Sequence, residues 1–100
     1  MSTWAVLYDV EANEDLDKIQ VHDLRRIHDA IAANLVHEPN VRTRNRKPLK
    51  LVSTESEVRE TWELRVGDYR VFYDVDPQEG IVTILKVRKK PPHRTTEDIL

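Results

Sequence analysis

Arg65-Val66-Gly67-Asp68-Tyr69-Arg70-Val71-Phe72-Tyr73-Asp74 is the stretch that decides the fold of this chain. Two apolar, β-rich runs flank Gly67-Asp68, the sequence signature of a tight β-hairpin. A two-residue loop fixes the register. Val66 then faces Tyr69, Arg65 faces Arg70, Leu64 faces Val71, Glu63 faces Phe72 and Trp62 faces Tyr73. Because side chains alternate along a strand, one face collects Trp62, Leu64, Val66, Tyr69, Val71, Tyr73 and Val75 and reads as core. The other collects Glu63, Arg65, Arg70, Phe72 and Asp74. Like charges directly opposite each other destabilise a strand pair, so the facing arginines point to an anionic ligand on that side.

Outward from the hairpin, Trp4 to Val10 reads as a first strand. Its unbroken apolar character suits the inside of a sheet. Asn13 is a helix cap, followed by the favourable acids Glu14, Asp15 and Asp17. Leu24, Ile27, Ile31 and Leu35 recur at spacings of three and four. A short helix is expected near 14–20 and a longer one near 22–37, stopped by Pro39-Asn40. Residues 40–48 read as a basic loop and Leu49 to Val52 as a short strand. The hairpin strands follow, near 61–66 and 69–76. Asp76-Pro77-Gln78-Glu79-Gly80 is turn chemistry, and Ile81 to Arg88 is the last strand. The sum is a single α+β domain over residues 1–100. A helix pair covers one face of a mostly antiparallel sheet of four or five strands.

The net charge of −2 hides segregation. Residues 1–38 hold eight acids against three bases, whereas residues 39–50 and 81–94 each hold five bases and no acid. Two acid-free basic blocks suggest one polyanion-binding surface, provided that the fold joins them. Lys86 and Arg88 share the parity of Ile84, so all three are expected on the face away from the helices. Phe72 and Ile84 would then form an apolar spot there, a footing for a protein partner. The chain has no cysteine, which excludes disulfide and thiolate chemistry. No apolar run reaches membrane length. A soluble, cytoplasmic protein is expected. The four histidines have no metal-ligand spacing and only Gly67 and Gly80 are glycines, so no metal and no cofactor are expected.

The order Arg46-Lys47-Pro48-Leu49-Lys50, then Trp62 to Asp76, then Ile81 to Lys90 resembles the RelE/ParE superfamily of bacterial type II toxin–antitoxin toxins. The resemblance runs over nearly the whole chain and is most specific from Leu64 to Val71. It implies a RelE-like fold, a cognate antitoxin as partner and, in the ribonuclease branch, ribosome-bound mRNA as target. Carried over by position, Arg70 matches the arginine that contacts the scissile phosphate and Arg65 a basic position on the preceding strand. Lys89 or Lys90 matches the basic position after the last strand, and Lys47 and Lys50 the RNA-facing loop. Three departures stand out. The tail from Pro91 to Leu100 has no tyrosine, Glu63 replaces a lysine, and the chain is not basic overall.

Metal-free RNA cleavage needs a base, cations for the phosphate and an acid for the leaving oxygen. Arg70 and Arg65 suit the phosphate; Lys90 and His93 are candidate acids. Glu63 is either the base or an ion-pair partner of the arginines. Lys47, Lys50, Lys86, Arg88 and Lys89 are the candidate RNA contacts. Replacing Arg70 with alanine is expected to leave the fold intact, since it faces away from the core. Two other readings stay open: a toxin of this fold acting on DNA gyrase, and an attenuated, non-catalytic antitoxin-binding module. The missing tail tyrosine favours these two, and the opposed arginines favour mRNA cleavage.

Overall fold

Gly67 takes φ +58°, the left-handed region where glycine has no Cβ penalty. The hairpin closes around it in the expected register, Val66 opposite Tyr69 through Trp62 opposite Tyr73. The computed structural model describes residues 3–54 and 58–91. In chain order the elements are β1 (Ala5–Tyr8), α1 (Val10–Asp17), α2 (Val21–Leu35), β2 (Arg46–Ser53), β3 (Val58–Val66), β4 (Tyr69–Asp76) and β5 (Ile81–Lys89). The five strands lie in the order β1-β5-β4-β3-β2. All neighbours are antiparallel except β1 and β5, which are parallel. The fold is the expected α+β arrangement.

Both helices pack on the face that carries the hairpin's apolar residues. On α2, Ile27, Ile31 and Leu35 are buried at spacings of four; on α1, Ala12 and Leu16 are. They join Trp62, Leu64, Val71, Tyr73, Val75 and Val82 in one core. Each such side chain is worth about 1.5–3 kcal/mol relative to exposure.

Four features depart from the reading of the sequence. First, α1 begins at Val10, with Asp9 rather than Asn13 as its cap; the Asp9 carboxylate accepts from Val10 N–H at 2.8 Å. Second, β1 is an edge strand. Its apolar run reflects two different surroundings, with Val6 and Tyr8 packed against the core and Leu7 53% exposed on the other face.

Third, β5 contains a bulge. Phe72 opposes Lys86 and Tyr73 opposes Ile84, so Leu85 is the extra residue. A bulge reverses parity for the residues before it. Ile84 therefore points into the core, fully buried, and not onto the open face beside Phe72. Leu85 takes the open side.

Fourth, β2 starts three residues early, at Arg46. Arg46 opposes Leu64 and so faces the helices, only 6% exposed. Its Nη1 donates to Asn34 O at 2.8 Å and to Glu38 O, and its Nε donates to Thr43 Oγ1 at 3.3 Å. Asn34 O lies in the last turn of α2, which has no basic residue there, and Glu38 O in the segment that follows. A buried guanidinium thus satisfies one carbonyl that the helix leaves unpaired and one just beyond it. Tyr73 Oη donates to Pro39 O at 2.7 Å in the same corner, and burial raises its pKa well above the usual phenol value.

Candidate nucleic-acid interface

Sheet register arranges the face opposite the helices in rows. One row runs Lys47, Glu63, Phe72 and Lys86 across four strands. The next, toward the Gly67 turn, is Arg65, Arg70 and Arg88. A third, on the other side, is Lys50, Thr61, Asp74, Thr83 and Leu7. The basic blocks of β2 and β5 therefore meet on one face. That face is graded: cations gather toward the turn, while Asp74, Asp76 and Asp9 gather toward the opposite end.

The cations differ in what holds them. Arg70 is 6% exposed. Its Nη1 donates to Gly67 O and to Tyr69 O, each at 2.9 Å, and its Nε lies 3.6 Å from Glu63 Oε1. Burial first, and Arg65 second, lower its pKa from the ordinary arginine value. Arg70 is thus part of the frame of the hairpin, which corrects the expectation that its removal leaves the structure untouched. Arg65, directly opposite, is exposed, and among the described residues its side chain has no partner.

Glu63 is 4% exposed, with Oε2 3.5 Å from Lys47 Nζ. Its carboxylate stands between Lys47 and Arg70, the arrangement of a counter-ion. Phe72 is 1% exposed, with Lys86 Nζ 6.0 Å from its ring centroid. It is therefore not the exposed apolar footing that its parity suggested. A cation over an aromatic face is itself favourable.

Arg88 leaves the row. Its Nη1 pairs with Asp15, and its Nη2 lies 2.6 Å from Glu11 Oε2, both on α1. Asp15 also accepts from Val87 N–H at 2.9 Å. β1 pairs with β5 only as far as Ile84, so the remaining edge of β5 is covered by α1, with Asp15 as the acceptor a further strand would supply. Arg88 is spent on this junction. Lys89 opposes Tyr69 and lines a cavity of about 430 Å³ with Lys18, Ile19 and Asp15, on the helix side. Lys90 N–H donates to Asp68 O at 2.7 Å, which brings it beside the turn and next to the arginine row. His93 lies outside the described residues.

Lys47, Lys50, Glu63, Arg65, Arg70 and Lys86 are thus brought onto one face, with Lys90 at its border. The roles of Arg46, Asp15 and Glu11 were missed. The signal for the last two was the acid-rich first helix in a chain whose last strand is basic; Arg46 carried no signal that separates it from Arg44.

A second feature of this face is a groove of about 560 Å³ at its acidic end, lined by Leu7, Ile81, Thr83, Leu85, Arg59 and Asp74 among others. Arg59 lies 3.8 Å from Asp74 Oδ2, and Thr61 Oγ1 donates to Asp74 Oδ1 at 2.6 Å.

A family model described as the ParE toxin of the type II toxin–antitoxin system parDE matches residues 6–90. No curated protein sequence matches the chain. Among solved structures, the chain is similar to the archaeal RelE–RelB complex from Pyrococcus horikoshii, at 26% identity and a TM-score of 0.73, covering 93% of this chain and 99% of that one. It is similar to the toxin–antitoxin complex RelBE2 from Mycobacterium tuberculosis, at 29% identity and a TM-score of 0.71, covering 90% and 94%. The isolated RelE toxin of E. coli shares the fold at 19% identity, a TM-score of 0.62 and coverage of 97% and 99%.

Proposed function

Since the chain belongs to the ParE toxin family of type II toxin–antitoxin systems, we propose that it inhibits translation by cutting ribosome-bound mRNA at the arginine corner of its open sheet face. The observation that carries this reading is the pair Arg65 and Arg70, opposed across β3 and β4, with Lys47, Lys50 and Lys86 on the same face. Opposed arginines cost stability, and a phosphodiester between them turns that cost into binding. In the reaction the 2′-hydroxyl gives its proton to a base, its oxygen bonds to phosphorus to close a 2′,3′-cyclic phosphate, and the bond to the 5′-oxygen breaks as that oxygen takes up a proton. Charge grows on the phosphate oxygens, where a guanidinium can meet two of them at once. Arg65 is the free arm of the pair, and Arg70 is the rigid one. Lys90, beside the turn, is the candidate donor to the leaving oxygen. The RelE–RelB complex and the toxin–antitoxin complex RelBE2 described above support an antitoxin partner. Because Ile84 is core and Phe72 is covered, the apolar footing for an antitoxin segment moves to the groove around Leu7 and Leu85.

Arg65→Ala tests the reading. The residue is exposed and relieving its repulsion costs no packing, so unfolding temperature should stay level or rise. Inhibition of a cell-free translation reaction should fall by about tenfold or more, the usual loss for a charge-assisted contact in a catalytic site. Mapping mRNA ends should show the wild-type cuts disappear together with the inhibition. A folded Arg65→Ala protein with full inhibition and unchanged cuts would overturn the assignment. Wild-type protein that leaves mRNA intact yet blocks gyrase supercoiling would favour the second reading, for which the charge-quenching Glu63 and the tyrosine-free tail speak.

A further inference from the structure

A guanidinium meets an oxyanion along one of its edges with two N–H groups. Arg70 has one Nη1 spent on two carbonyls, Gly67 O and Tyr69 O. The edge left for a bidentate ligand is formed by Nε and Nη2, and Nε already faces Glu63 Oε1 at 3.6 Å. The other carboxylate oxygen faces Lys47 Nζ at 3.5 Å. Glu63 thus offers two anionic oxygens to two cations in the manner of a phosphodiester. Both separations exceed hydrogen-bond length, in contrast to the 2.6 Å contact between Arg88 and Glu11. Each of these two contacts, taken singly, exchanges at lower cost than a tight one.

We propose that Glu63 is an internal competitor for the phosphate site: it occupies the Nε edge of Arg70 and the ammonium of Lys47, and an RNA phosphodiester binds by taking its place. This deepens the reading of the arginine corner as an RNA site and rests on it. The resting protein keeps a buried arginine compensated when no ligand is present, since an uncompensated buried charge is strongly destabilising. The same carboxylate sets the affinity, because each binding event first breaks its contacts with Lys47 and Arg70. Lys47 and Arg70 contribute to binding only as the difference between holding phosphate and holding Glu63. Arg65, outside the clamp, contributes in full.

The test measures binding of a 2′-O-methyl oligoribonucleotide, which resists cleavage, to wild type, Glu63→Gln and Arg65→Ala across a salt series. Glutamine keeps the shape and removes the charge. Glu63→Gln should bind about tenfold tighter, the equivalent of one charge-assisted contact regained. Its salt dependence should steepen by about 0.7 in the log–log slope, one additional phosphate neutralised on a single strand. Arg65→Ala should bind more weakly than wild type. Should Glu63→Gln fold poorly, the wild-type protein answers alone. Buried Nε–H of Arg70 gives a side-chain resonance that should shift as oligonucleotide is added, because its partner changes from carboxylate to phosphate. Unchanged or weaker binding by folded Glu63→Gln, or an Arg70 Nε–H that stays put while backbone signals around Arg65 move, would overturn the competitor while leaving the RNA site standing. Absence of binding by both wild type and Glu63→Gln would overturn the two together.

Discussion

Replacing Arg46 by methionine should destabilise the fold by about 3 kcal/mol while leaving the anionic-ligand face as it is. Methionine keeps most of the stem volume and removes every donor. Two backbone acceptors, Asn34 O and Glu38 O, lose a charged partner, at about 1.5–3 kcal/mol for each bond to an ionised group. The favourable placement of a cation at the end of α2 adds about 0.3–1 kcal/mol. Against this stands relief from desolvating a guanidinium that is only 6% exposed, several kcal/mol on its own. The bonds exceed that relief because three donor atoms, Nε, Nη1 and Nη2, each face an acceptor or a carboxylate, Glu38 Oε2 lying 3.9 Å from Nη2. For a chain of 100 residues, about 3 kcal/mol corresponds to a fall of roughly 12–24 °C in Tm. Urea unfolding followed by circular dichroism reads it directly, with the m-value unchanged if the native and unfolded surfaces are the same. Arg46→Lys, which keeps charge but not the planar fork, should fall between the two. A loss under about 1 kcal/mol in Arg46→Met would refute the ledger, because it would mean that burying the guanidinium cancels its bonds. Weakened oligonucleotide binding by the folded fraction would place Arg46 on the ligand face, against its register.

Arg70→Ala should lower stability by about 2–3 kcal/mol, in contrast to neutral Arg65→Ala, since two carbonyls and Glu63 lose their partner; equal unfolding curves for the two variants would refute the difference in their roles. Asp15→Asn should cost about 1–3 kcal/mol and speed hydrogen exchange at Val87, the amide that Asp15 covers; an unchanged Val87 rate would show that α1 does not guard the edge. Tyr73 has a folded pKa above its unfolded value, so its contribution is complete below the unfolded pKa near 10 and is lost as pH rises from there toward the folded value. Tyr73→Phe should therefore be less stable by about 1 kcal/mol at neutral pH and lose stability less steeply above pH about 10; parallel alkaline profiles would count against that. Gly80→Ala should cost about 1 kcal/mol for its φ of +68° alone, because a Cβ there meets nothing within 4 Å, and Gly80→Asn should cost less; a larger loss would mean unseen contacts at this turn.

The hairpin was legible because its signals agree. Gly67-Asp68 fixes a two-residue loop, and strict alternation then assigns every side chain from Trp62 to Val75 to a face. The arginine corner followed from that register without further information. β5 was misassigned at Ile84 because a bulge leaves no mark in a run such as Ile81-Val82-Thr83-Ile84-Leu85, where every residue is β-prone and none is forced outward. The edge position of β1 was hidden for a related reason: an apolar run on a short edge strand reads like that of a central one even where one face, that of Leu7, is largely open to solvent. Arg46 and Arg88 show the limit for charges. Composition places them in basic blocks, but only register sends Arg46 to the helix end, and only the shortness of β1 leaves α1 in reach of Arg88. The burial of Phe72 and Glu63 has the same origin, since parity tells which face a residue is on and not how open that face is.

The parallel pairing of β1 with β5 also orders events in time. Ala5 meets Ile81 and Tyr8 meets Ile84, contacts between the first and last parts of the domain, while β2 to β5 are joined by successive antiparallel neighbours. Non-local pairing of this kind slows folding, because the loop must close before any contact repays it. On a nascent chain β1 and α1 can touch α2 early, through Trp4 N–H on Val36 O and Tyr8 against His28, but β1 has no strand partner until β5 has emerged, so this segment, made before the hairpin, takes its place in the sheet after it. The edge of β5 stays bare until β1 and α1 dock, and Asp15 and Arg88 find each other only at that step.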